Sequence, residues 1–184
     1  MLCRLWVLLL LCWISPVSAG SVDDAGYRIL HDLYRATWLD WTMERITQLG
    51  DLRFQLALCA GMAAYGRDYE RETARLQLAA FVGSGAVVSL FKKLTDRPRP
   101  EYPNSIDSFP SGHSAVVWAG ASLFGRRYPK CRWAYYITAS LVSLSRVYLG
   151  KHYPSDVLVG AIIGYGTAEL AWRYRERIWN LHIW

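Results

Sequence analysis

Cysteine is scarce in this chain and badly placed for structural work. Of the four, Cys3 and Cys12 fall in an N-terminal leader, Cys59 lies inside an apolar run and Cys131 sits in a basic loop. That excludes a disulfide framework and leaves no ligand spacing for zinc. A long basic stripe and a basic amphipathic helix are also missing. The net charge of +6 comes from Lys and Arg dispersed through loops, so nucleic acid is not the expected partner. Several apolar runs, moreover, fall short of the ~20 residues that a membrane helix usually needs.

What is present is apolar and aromatic. The 184 residues suit one domain, yet 53% are hydrophobic, with nine Trp and twelve Tyr. Mean hydropathy is only +0.08 because apolar runs alternate with charged loops. This alternation predicts an all-α, integral-membrane helical bundle of about five spans. The spans are expected at 52–65, 76–91, 111–124, 133–149 and 155–172, with flanking Tyr, Trp and Arg or local thinning covering their shortness. Gly61, Gly83, Gly85, Ala115, Ala119 and Gly160-x-x-x-Gly164 supply the small residues that let helices approach closely in lipid.

Residues 1–19 read as a cleaved signal peptide: Arg4, an apolar run from Leu5 to Ile14, then Val17 and Ala19 as the small cleavage residues. Residues 20–184 form the single domain, divided into an interfacial region (20–50) and the bundle (51–184). In the former, Ser21 and Asp24 resemble a capping box, and Tyr27, Leu30, Leu33 and Tyr34 share a face. A second piece, 39–49, follows Trp38 and contains Trp41; both belong at a membrane interface, anchoring and packing. His31 is read here as a solvated side chain. Arg67, Arg71 and Arg75, then Arg126, Arg127, Lys130 and Arg132, then Arg173, Arg175 and Arg177 occupy alternate loops. The positive-inside rule makes that face cytoplasmic. The other loops then face outward, on the periplasmic side of a bacterial inner membrane, in agreement with a signal peptide.

Both outward loops are loaded with functional groups. One runs from Lys92 through Arg97-Pro98-Arg99-Pro100 to Phe109-Pro110-Ser111-Gly112-His113, and the other from Ser145-Arg146 to His152 and Asp156. Ser111 is a good N-cap, Gly112 allows an anion close to the backbone, and a helix N-terminus presents free N–H groups and a positive dipole end. Phosphoryl transfer needs this set: a negatively charged transition state wants several fixed donors on its equatorial oxygens. Lys92, Arg99 and Arg146 can supply charge, and Ser111 with the Gly112 N–H can supply directed hydrogen bonds. One histidine must attack in line and another must protonate the departing oxygen. Asp156, four residues after His152, can hold one ring nitrogen and leave the other free for attack. His113 is then available as acid and later as base. No metal or other cofactor is required, and the surrounding cations would disfavour a divalent ion.

Three separately spaced blocks carry a resemblance. Lys92 with Arg99-Pro100, Pro110-Ser111-Gly112-His113, and Ser145-Arg146 with His152 and Asp156 resemble the type 2 phosphatidic acid phosphatase superfamily, which includes membrane lipid phosphatases and vanadium-dependent haloperoxidases. The resemblance implies an all-α bundle and His152 as a nucleophile that forms a phosphohistidine. It also implies Asp156 as its orienting partner, His113 as acid/base, and Lys92, Arg99, Ser111, Gly112 and Arg146 as phosphate ligands. It thereby fixes the choice between the two histidines. Lys93, Arg97 and Lys151 lie outside the pattern, and Arg97 is expected to be a solvated charge, with a part in shaping substrate entry as the alternative. The activity expected is a lipid phosphatase, with a lipid phosphotransferase or a vanadate-dependent haloperoxidase as alternatives. Phosphatidic acid, phosphatidylglycerol phosphate, an isoprenyl diphosphate and the phosphates of lipid A all fit as substrates. The expected partners are the lipid substrate and the bilayer; oligomeric state has no signature.

Overall fold

A computed structural model describes residues 22–33 and 35–180. The expected signal peptide, Ser21, Tyr34 and His182 lie outside the described residues. Those residues form eight α-helices: α1 (Val22–His31), α2 (Thr37–Gln48), α3 (Leu52–Tyr65), α4 (Asp68–Thr95), α5 (Gly112–Arg127), α6 (Arg132–Tyr148), α7 (Pro154–Arg173) and α8 (Arg175–Trp179), with a single 3₁₀ turn at Pro129–Cys131. The described residues are all-α, as the alternating apolar runs predict.

Helix α5 is the central element, packed against α4, α6 and α7. Its small residues make this possible, since Ala115, Ala119, Gly120, Ala121 and Ser122 are all buried. The closest approach is with α7. A Cβ on Gly160 would collide with the Ser111 carbonyl oxygen, and one on Gly164 with that of Ala115. Only glycine lets the α7 backbone lie on the first turns of α5. This contact sets where the Ser111 end of α5 sits.

Polar side chains share the interior with the apolar core, and large apolar ones line the exterior. Thr73, Gln77, Ser84 and Ser122 are buried, whereas Leu52, Phe54, Leu56 and Leu58 of α3, Val82 and Leu90 of α4, Ile137, Leu141 and Leu144 of α6, and Leu158 and Ile162 of α7 face outward. An exterior with this many large apolar side chains suits an apolar surrounding. Among the described residues, one helix, Asp68–Thr95, is long and apolar enough to cross a membrane by length and composition.

The arginine-rich loops gather at one end. There Arg127, buried rather than in a loop as expected, donates to Thr73 Oγ1 at 2.8 Å and to the Tyr69 carbonyl at 2.7 Å, and pairs with Glu72 at 3.2 Å. It fastens the last turn of α5 to α4. The opposite end carries the chemistry.

Candidate active site

Four helix ends meet at that opposite end: the C-termini of α4 and α6 and the N-termini of α5 and α7. Helix α4 stops after its last basic turn, at Asp96, whose φ of 41° turns the chain into the loop 97–110; Asp is among the residues that tolerate this left-handed geometry. Ser111 caps α5 and is fully buried, its Oγ lying 3.5 Å from the Ser114 N–H. Gly150, at φ 65°, closes the turn after α6 with Glu101 packed where a side chain would stand. The backbone N–H groups of Lys151 and His152 then fold back onto the Arg146 carbonyl, at 3.0 and 3.3 Å. Helix α7 begins with Pro154 at its first position, and the Asp156 carboxylate accepts from the Tyr153 N–H at 2.8 Å, an arrangement suited to an N-terminus.

The two functional loops are stitched to one another. The Ser111 N–H donates to the Asp156 carbonyl at 3.0 Å and the Glu101 N–H to that of Gly150 at 3.2 Å. His152 is 2% exposed, and its Nδ1 lies 2.7 Å from the Ser108 carbonyl oxygen. A carbonyl oxygen only accepts, so Nδ1 carries the proton and Nε2 of the neutral ring holds the free lone pair. Asp156 stands farther off, with Oδ2 3.7 Å from Nδ1. Here the structure departs from the expected orientation by Asp156. The ring's hydrogen-bond partner is the Ser108 backbone, and the carboxylate acts on it through space.

Asp156 is itself fully buried and fully ligated. Ser108 Oγ donates to Oδ2 at 2.5 Å and Arg97 Nη1 to Oδ1 at 2.6 Å. Arg97 also bonds Asp23 Oδ2 of α1 and Ser155 Oγ, each at 2.8 Å, and stacks over the Tyr153 ring. The expectation of a solvated Arg97 is therefore corrected: a buried carboxylate needs a counter-cation, and Arg97 is in reach. Asp23 is held below the ordinary carboxylate range; burial pushes it up, but hydrogen bonds from Ser155 and Arg97 outweigh that.

His31 needs the same correction. It is buried against the α6 terminus, with Nδ1 2.7 Å from the Tyr148 carbonyl and Nε2 2.7 Å from Glu101. Its partner lies 117 residues away, so no local pattern could have revealed it. Through Asp23 and His31, α1 straps the outside of both loops.

The predicted phosphate ligands surround this histidine pair's end of the bundle. Arg146 is buried, donates Nη1 to Thr47 Oγ1 at 3.0 Å, and leaves its buried Nε without a partner. An unfilled guanidinium donor suits an incoming oxygen. Arg99 and Lys92 both converge on Asp107, which no sequence pattern singled out. Gly112 has open space beside it: outside its own helix, the nearest atom to an added methyl group would be Val88 Cγ1 at 3.9 Å. His113, half-buried in the first turn of α5, lies close enough to Arg146, Asp51 and Arg99 for their charges to act on it. His152 in turn is pushed below its ordinary pKa, first by burial and then by Arg146, against the opposing pull of Asp156. The eight predicted site residues thus meet in one region. Among the described residues, no three His, Cys, Asp or Glu side chains cluster as ligands for a metal ion.

At one end of four alternating helices, then, the fold brings two histidines and three cations together. The chain belongs to the PAP2 superfamily, whose profile matches residues 73–180. It is 33% identical over 193 residues to phosphatidylglycerophosphatase B of Bacillus subtilis, a match covering 95% of this chain and 93% of that protein. A lipid A 1-phosphatase of Rhizobium johnstonii is 34% identical over 97 residues, which cover 45% of this chain and 40% of the relative. The chain thus spans about two fifths of that relative's length. The crystal structure of a transmembrane PAP2-type phosphatidylglycerolphosphate phosphatase from Bacillus subtilis superposes with a TM-score of 0.77, at 28% identity, over 97% of this chain and 96% of the other.

Proposed function

We propose that the chain is an integral-membrane lipid phosphatase that hydrolyses a lipid phosphate or diphosphate monoester at the outer, periplasmic face, through a phosphohistidine on His152. The observation that carries this reading is the hydrogen bond from His152 Nδ1 to the Ser108 carbonyl. It leaves Nε2 as a nucleophile of fixed direction amid Arg146, Arg99 and Lys92.

The chemistry follows from the positions. The phosphate binds with its oxygens on the three cations, Ser111 and the free N–H groups at the start of α5. Nε2 attacks phosphorus in line, forming the P–N bond as the P–O bond to the lipid breaks, and His113, protonated beside the bound phosphate anion, gives its proton to the leaving oxygen. The ring now carries positive charge, and the Asp156 carboxylate 3.7 Å from Nδ1 stabilises it. Neutral His113 next takes a proton from water, whose oxygen attacks phosphorus and breaks the P–N bond. Inorganic phosphate leaves, and both histidines return to their starting forms.

The apolar exterior of α3, α4, α6 and α7 and the arginine-rich loops at the far end support a membrane setting with the site outward. The deciding experiment is phosphate release from a panel of purified lipids by the wild type and His152→Ala. The variant should lose turnover by at least a thousandfold while still binding substrate. Near-normal hydrolysis by His152→Ala would refute the assigned nucleophile.

A further inference from the structure

Asp107 occupies the cations that the proposed reaction assigns to phosphate. Its Oδ1 accepts from Arg99 Nε and its Oδ2 from Arg99 Nη2, both at 2.8 Å, in the paired geometry a guanidinium offers to any two-oxygen anion. Lys92 Nζ lies 3.1 Å from Oδ2 and 2.6 Å from the Asp107 backbone carbonyl. Ser105 Oγ adds a hydrogen bond to Oδ1 at 2.6 Å. The loop that bears the residue is closed at its base by the Ser108 N–H on the Arg97 carbonyl, 3.0 Å. The side chain is 46% exposed, so it can swing outward into solvent without unpacking a core.

Resting on the phosphatase reading above, we infer that Asp107 is an internal anion that competes with phosphate for Arg99 and Lys92, yields to the substrate headgroup, and returns as inorganic phosphate departs. The hydrogen bond from Arg99, aided by Ser105 and Lys92, holds this carboxyl below the ordinary carboxylate range, so it is anionic at every physiological pH. The competition weakens all phosphate binding, but not with equal consequence. A lipid substrate keeps the affinity of its acyl chains, whereas inorganic phosphate has only the cations. Asp107 thereby lowers product inhibition while the substrate remains bound through its tail. Tight headgroup binding shared by ground and transition states would in any case lower KM without raising kcat.

The test is calorimetric titration of the detergent-solubilised full chain with inorganic phosphate, for the wild type, Asp107→Asn and Ser105→Ala. Asp107→Asn should bind phosphate on the order of tenfold more tightly, the scale of a bidentate ion pair discounted for half exposure. Ser105→Ala, which only loosens the carboxylate, should shift affinity a few-fold in the same direction and decides the matter if Asp107→Asn does not fold. Unchanged or weaker phosphate binding in the folded variants would overturn the inference and leave Asp107 merely orienting the two cations. The titration needs no turnover. A wild type that binds phosphate yet releases none from any lipid defeats the catalytic reading alone, and phosphate binding by neither the wild type nor folded Asp107→Asn defeats both.

Discussion

Replacing Asp156 by asparagine removes one negative charge 3.7 Å from Nδ1 of His152 and leaves the side chain's size almost unchanged. In the proposed mechanism that ring becomes positive as the P–N bond forms. At 3.7 Å, with an effective dielectric constant of about 20, the attraction is about 4 kcal/mol. Arg97, 2.6 Å from the other carboxylate oxygen, cancels part of it, leaving about 3 kcal/mol, a factor on the order of a hundred in rate. The loss should fall on kcat, because the phosphate faces Arg146, Arg99 and Lys92 and makes no contact with Asp156 in the scheme. The Ser108 carbonyl still fixes the ring, so orientation survives the change. The assay is phosphate release from a short-chain, water-soluble phosphatidic acid in detergent, with kcat and KM measured separately and a thermal midpoint to show that the α7 cap is intact. A folded Asp156→Asn protein with kcat within about threefold of wild type, or with the whole effect in KM, would refute the electrostatic role.

Two further consequences concern the same cluster. Arg97→Met strands the fully buried Asp156 without its cation and Asp23 without its partner, and should destabilise the protein by about 3 kcal/mol; a thermal midpoint in detergent unchanged from wild type would contradict this. The second is a pH dependence. Burial, then Arg146, holds His152 below its ordinary value of 6.5, so the acid limb of kcat/KM should lie below about pH 6.5. Beneath that pH the unfolded chain takes up the proton before the folded one does, so stability should fall as pH falls. A His152 ring that titrates at about pH 7 or above, followed through its imidazole NMR shifts in the folded protein, would overturn the assignment of its environment.

The helices and the reactive groups were legible in the sequence for different reasons. Apolar runs bounded by charge mark α3 at 52–65, as observed, and α7 to within one residue at each end. Helix α4 overruns its expected 76–91 at both ends because charged turns, with Asp68, Glu70 and Glu72 before and Lys92 and Lys93 after, continue the helix while ending the apolar signal. The site residues are readable because each block has fixed internal spacing. What supports them is not, since Asp23, Arg97, Ser108 and Thr47 reach the site singly, from helices and loops distant in the chain. One signal was nonetheless available: a carboxylate four residues after a histidine at a buried helix start cannot stay charged without a cation. The Arg97-Pro98-Arg99-Pro100 run offers two, and Arg99 is already claimed by the phosphate block. Arg97 is the arginine left over, and pairing it with Asp156 needs only the rule that buried charge is compensated. Asp107 shows the converse. Two of the three cations gathered for an anion that comes and goes, Arg99 and Lys92, already hold a carboxylate, so a loop acid beside such a cluster is worth reading as the resident counter-ion before it is dismissed as solvated.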